Sequence, residues 1–115
     1  MNAIAEDLGK VDELVQERWD RLALYHLTDK QVKALLGNKN VYAQDGWFPA
    51  RYEFEEHAHG RPQLLLVTRG RLTHSDGKMN YTQGTNDLLV VPANLVHTAK
   101  VGDEELEFWM MTRRQ

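Results

Sequence analysis

From Val41 onward the chain offers only short apolar runs, such as Leu64 to Val67, and it is broken repeatedly by turn-forming residues at Asp45-Gly46, Gly60-Arg61-Pro62, Asp76-Gly77, Gly84 and Gly102-Asp103. A stable helix needs a sustained apolar stripe of period 3.6, whereas a strand needs only a handful of residues, so punctuation this dense selects strands. Short, evenly spaced strands joined by tight turns close up as an antiparallel sandwich or barrel. The expected fold class for residues 41–115 is therefore all-β. None of the runs approaches the roughly 20 apolar residues of a membrane-spanning helix.

Residues 3–37 follow a different rule. Ile4, Leu8, Val11, Val15 and Leu22 recur at threes, fours and sevens with charged residues between them, which predicts one long amphipathic helix. Thr28-Asp29-Lys30-Gln31 has the form of a capping box and Gly37 suits a helix stop, so a second, short helix is expected over 29–36. The apolar stripe must be covered, either by the outside of the β domain or by a second copy of the chain. Cover by the β domain is the commoner arrangement, and we expect a division into an N-terminal helical extension, 1–40, and a β domain, 41–115, that together make one structural domain.

Composition narrows the function. At 115 residues there is room for one core, and 42% hydrophobic with 27% charged residues is ordinary globular usage. A formal net charge of −3 provides no basic field for a nucleic acid backbone. The polar helix face mixes Glu6, Asp7, Asp12, Glu13 and Glu17, unlike the basic face of a membrane-surface helix. The first ten residues show neither the basic nor the apolar region of an export signal, so the expected location is the cytoplasm. The absence of cysteine removes disulfides, thiolate metal sites and cysteine nucleophiles together. A metal site would have to rest on His with Asp, Glu, Asn or Gln.

The histidines provide such a set. His57 and His59 stand two apart at the end of a predicted strand, where i and i+2 point to one face and can share an ion. Gln63 keeps the same parity across the Gly60-Arg61-Pro62 connection, and His97 follows Pro92 further on. His26, beside Tyr25, and His74, beside a hairpin turn, read instead as solvated or capping residues.

With these spacings the chain resembles the cupin superfamily, in particular the small single-domain, RmlC-like cupins. His57, His59, Gln63 and Gly70 are similar to the first cupin motif, and Gly84, Pro92, Asn94 and His97 to the second, with Asp87 where the family often has Asp. Arg71 to Tyr81 reads as the hairpin between them, and the likeness covers about residues 45–112. Arg51 stands in place of the first motif's leading Gly, Asn94 in place of a turn Gly and Val101 where the second motif often ends in Asn. Asn tolerates the left-handed conformation that a turn Gly provides. Gln63 replaces the usual Glu, and this departure has chemical content.

The resemblance implies a jelly-roll barrel in which His57, His59, Gln63 and His97 hold a divalent transition metal ion: Zn, Fe, Ni, Mn or Cu. Three neutral imidazoles and a neutral amide leave the ion's double charge uncompensated, which favours Lewis-acid over redox chemistry and attracts anionic ligands. Small cupins with three His and one Gln include those that linearise unsaturated uronate sugars, so a sugar acid is one implied substrate. Arg51, Arg61 and Arg69 share the parity of His57 and are candidates to bind such an anion, while Glu53 and Glu55, of the same parity, are candidate catalytic bases. Phe48, Tyr52 and Phe54 occupy the alternate face. The resemblance also implies a homodimer, since cupins commonly pair through barrel faces and the helical stripe fits that habit. The expected function is that of a metal-dependent enzyme acting on a small anionic molecule. The alternatives are a non-catalytic ligand-sensing cupin, like the effector-binding domain of arabinose-operon type regulators, and a cupin dioxygenase.

Overall fold

Two strands, β5 (Gln63–Arg69) and β8 (Asp87–Val91), set the architecture, because their apolar runs are buried on both faces. They pair antiparallel, with Leu64 opposite Val90 and Leu66 opposite Leu88. Strands without a polar face need cover on two sides. The computed structural model, which describes residues 2–114, shows what provides each cover.

The remaining strands are β1 (Glu6–Asp7), β2 (Ala23–His26), β3 (Val41–Phe48), β4 (Glu53–His57), β6 (Leu72–Ser75), β7 (Asn80–Gln83), β9 (His97–Val101) and β10 (Leu106–Arg113). They form a six-stranded sheet, ordered β1-β2-β8-β5-β10-β3, and a four-stranded sheet, ordered β4-β9-β6-β7. The protein is thus a β-sandwich, as the turn spacing predicts. Leu65, Leu89 and Val91 point into the space between the sheets, where Val67, Leu72, Ala99, Val101 and Leu106 build the adjoining core. Leu64, Leu66, Leu88 and Val90 point the other way and are covered by Val11, Leu14, Val15, Trp19, Leu27 and Leu35 of the N-terminal segment.

That segment departs from the expected long helix. Helix α1 spans only Val11–Gln16, and residues 23–26 form β2, which pairs with β8 from Ala23 opposite Val90 to His26 opposite Asp87. Tertiary pairing overrides the helical pattern, because the otherwise open edge of β8 takes a partner whose Leu24 joins the interior while Ala23 and Tyr25 join the outer cluster. Trp19 is buried and its Nε1 donates to the Leu14 carbonyl at 3.0 Å, satisfying a helix-end acceptor where the chain turns away. Ile4, first in the apparent stripe, is 85% exposed. The rest of the stripe packs against the chain's own sheets.

Helix α2 (Asp29–Leu36) has the expected limits. Thr28 Oγ1 accepts from the Gln31 amide at 3.1 Å and Gln31 Oε1 from the Thr28 amide at 2.9 Å, the reciprocal pattern of a capping box. Gln31 Nε2 also donates to the carbonyls of Leu8 (2.7 Å) and Gly9 (2.9 Å), tying the two halves of the segment together. The expected turns at Gly60-Arg61-Pro62, Asp76-Gly77, Gly84 and Gly102-Asp103 all lie between strands. Asp45-Gly46 does not: it lies inside β3, where a β-carbon on Gly46 would meet the Phe108 ring at 2.7 Å. Close approach of a ring, not a bend, accounts for glycine there.

Gly70 carries the chain from β5 in one sheet to β6 in the other, with φ of +85° and space for a β-carbon only 2.4 Å from the Glu105 carbonyl oxygen. We expect Gly70→Ala to destabilise the fold by about 1–3 kcal/mol, combining left-handed strain with a backbone clash. Urea denaturation should show a lower midpoint with an unchanged slope.

Candidate metal centre

His57 ends β4 directly opposite His97, which begins β9, and His59 follows in the loop after β4. The Asn94 amide donates to the His59 carbonyl at 2.7 Å, so the turn preceding β9 fixes the loop carrying the third ring. Asn94 has φ of +64°, the left-handed conformation expected where it stands in for glycine. The result is a cluster in which one ligating atom from each of His57, His59 and His97 lies within 4.8 Å of the others.

Two of the rings are oriented by their own backbone. His57 Nδ1 lies 2.6 Å from the Glu55 carbonyl oxygen and His97 Nδ1 lies 2.9 Å from that of Leu95. A carbonyl only accepts, so Nδ1 carries the proton in both rings and Nε2 keeps its lone pair. Burial, followed by the neighbouring imidazoles His57 and His97, holds the pKa of His59 below its ordinary value. Burial also lowers that of His97, against a raising effect from its bond to Leu95, with His57 lowering it further. These shifts favour uncharged rings at neutral pH, the form that binds metals.

The cluster opens on a cavity of about 260 Å³ between the sheets. Its polar wall consists of His57, His59, Gln63, His74 and His97, and Phe48, Phe54, Leu65, Leu72, Phe108 and Met110 contribute to its apolar wall. Gln63 Oε1 is buried with no hydrogen-bond partner. An orphaned amide oxygen and two imidazoles with their Nε2 lone pairs free, beside a third ring, fit a divalent cation well. Larger grooves, such as one of about 430 Å³ beside Trp19 and Arg21, lie away from the histidines.

The carboxylates and guanidiniums expected beside the histidines lie elsewhere. Between Phe54 and His57, β4 advances three residues while β9 advances two, from Ala99 to His97, so a bulge reverses the parity. Phe54 consequently lines the cavity while Glu53 and Glu55 are exposed, and Glu53 Oε1 is 3.6 Å from Lys100 Nζ. Phe48, assigned to the outer face by the same counting, also lines the cavity. Arg51, at φ +63°, is exposed beside Asp103 at 3.5 Å; Arg61 borders a separate groove with Trp19; Arg69 is exposed at the end of β5. Among the described residues, no Asp, Glu, Lys or Arg lines the cavity.

His74 is the residue that sequence reasoning missed. It is only 3% exposed and lines the cavity, its ring centre 6.0 Å from that of His97. The available signal was its alternation with Leu72 on one strand face, which the nearby turn residues outweighed. His26 is exposed, with Nδ1 2.6 Å from the Asp87 carboxylate that also accepts from the Gly84 amide.

A double-sheet jelly roll with two histidine-bearing strand ends meeting in its interior defines a small cupin. Residues 45–113 match the AraC-like ligand-binding domain family, and the chain belongs to that family. Solved structures agree on the fold. A cupin-2 domain protein from Shewanella frigidimarina is 18% identical over 70% of this chain and 76% of its own, with a TM-score of 0.57. A DUF861 family protein from Thermotoga maritima is 18% identical over 82% of this chain and 100% of its own, at 0.59. A DMSP lyase from Ruegeria pomeroyi is 16% identical over 68% of this chain but only 40% of its own, at 0.58. A search of curated protein sequences finds no match.

The buried histidine has a measurable consequence. Burial first, with His97 and His57 adding to it against the raising effect of Gln83, pushes the His74 pKa down to about 4 from 6.5. The unfolded chain therefore takes up a proton as pH falls below 6.5 while the folded ring stays neutral, and stability is lost between pH 6.5 and about 4. In chelator-treated protein, wild type should lose about 2 kcal/mol more than His74→Phe between pH 7 and 5, as read by urea denaturation. Equal losses would contradict this assignment.

Proposed function

We propose that this protein is a metal-dependent small-molecule cupin in which His57, His59, Gln63 and His97 hold one divalent ion at the end of the cavity. The observation that carries the reading is the convergence of three imidazole nitrogens on a cavity whose wall also carries the orphaned Gln63 oxygen. When bound, the ion supplies Lewis-acid polarisation of a ligand oxygen. The protein's own part is to hold His57 and His97 in one tautomer through their backbone carbonyl bonds, to shield the site with Phe48, Phe54 and Phe108, and to keep its donors neutral. An anionic oxygen suits this site because none of the four donors offsets the ion's charge. The arginines play no part in this version, and the ligand's body meets mainly apolar walls.

A second reading, ligand sensing without turnover, is favoured by the family match and by the absence of any carboxylate base among the described lining residues. Ligand depletion monitored by mass spectrometry separates the two readings. Binding without loss of ligand supports sensing, and conversion supports an enzyme.

Metal analysis by mass spectrometry after loading with zinc and desalting should give about one ion per chain, and the double variant His57→Ala, His59→Ala should retain almost none. Gln63→Leu should weaken zinc binding by roughly tenfold and Gln63→Glu should strengthen it. Zinc uptake unchanged in the double variant would refute the site.

A further inference from the structure

Gln83, fully buried on β7, donates both hydrogens of its amide to backbone carbonyls, to Leu65 at 2.7 Å and Asp87 at 2.9 Å. Its Oε1 is therefore left to accept, and the nitrogen that reaches it is His74 Nε2 at 2.9 Å. The bond places the His74 proton on Nε2 and the lone pair on Nδ1. Nδ1 is buried without a hydrogen-bond partner, on a ring that lines the same cavity as the metal centre. A buried acceptor left open in this way is costly, and a native protein retains such a group where something else satisfies it.

The surroundings narrow the donor. The ring that carries the orphan nitrogen lines a pocket whose walls include Phe48, Phe54 and Phe108, so a charged ammonium there would lose hydration among aromatic rings and then lie near a divalent ion. A neutral hydroxyl meets neither objection. We propose that His74 Nδ1 is a ligand subsite, accepting a hydrogen bond from the hydroxyl of a small, apolar-bodied hydroxycarboxylate whose carboxylate oxygen occupies the ion site. The position of the carboxylate rests on the metal-site reading above; the hydroxyl contact rests on the His74–Gln83 geometry. Gln83 acts as the positioning residue, since its two carbonyl bonds keep His74 from adopting the other tautomer.

The test compares 3-hydroxy-3-phenylpropanoate with 3-phenylpropanoate, two acids differing by one hydroxyl, by calorimetric titration of the zinc-loaded full chain. In wild type the hydroxy acid should bind roughly tenfold tighter, and in His74→Phe the advantage should fall below about twofold with zinc stoichiometry unchanged. An advantage equally large in both proteins would place the hydroxyl on the ion and overturn the proposal. No advantage in wild type, or no binding of either acid, overturns it as well. If wild type takes up no zinc, the metal-site reading fails by itself, and the same pair titrated against the zinc-free chain still decides the His74 contact. Should His74→Phe fail to fold, long-range proton–nitrogen NMR of wild type replaces it. The His74 Nδ1 resonance should move with the hydroxy acid and stay in place with the deoxy acid, and a resonance unmoved by both counts against the subsite.

Discussion

Everything in this molecule depends on two strands that have no polar side. β5 and β8 put leucine and valine on both faces, so the sheet they anchor cannot rest against water in either direction. One direction is closed by the N-terminal segment, which lays Val11, Leu14, Val15 and Trp19 across the outer face. The other is closed by a second sheet, and the space left between the sheets is where chemistry becomes possible. The cavity is a place where the two inner surfaces, lined with bulky side chains, do not quite meet.

Strand ends bring the histidines into that space, with backbone groups supplying much of the precision. The carbonyls of Glu55 and Leu95 set two rings, and the Asn94 amide sets the loop that carries the third. Main-chain groups within two residues of a side chain leave it little freedom, so the cluster is organised before any ligand arrives. The surrounding apolar wall lowers the cost of keeping imidazoles neutral and raises the strength of whatever polar contact a ligand makes there.

Much of this was legible in the sequence, because it rests on local rules. Turn residues marked the strand connections, the Thr28–Gln31 pair marked α2, and the spacing from His57 to His97 picked out the cluster. The failures have a common cause, which is that partners distant in sequence changed a local outcome. The apolar period of residues 4–22 implied one helix, but Glu6 and Asp7 pair with Tyr25 and His26, which themselves take the free edge of β8, and only residues 11–16 stay helical. Counting by twos put Glu53 and Glu55 inside, but one extra residue in β4 relative to β9 turned them out and brought Phe54 in. His74 reads as a turn residue from its neighbours in sequence, but it is buried and bonded to Gln83, nine positions on. A bulge and a buried hydrogen bond are set by packing between strands, and single-strand periodicity does not encode them.

The outer cover also separates the stretch recognisable by similarity from the stretch able to fold. The family match begins at residue 45, yet Leu64, Leu66, Leu88 and Val90 depend on residues 11–35 to stay dry. A protein trimmed to the recognisable boundary would display a greasy plane broad enough to make copies stick to one another. The smallest unit that keeps its outer face covered is therefore larger than its signature, and anyone borrowing this barrel as a scaffold must take the preceding turns of chain along with it.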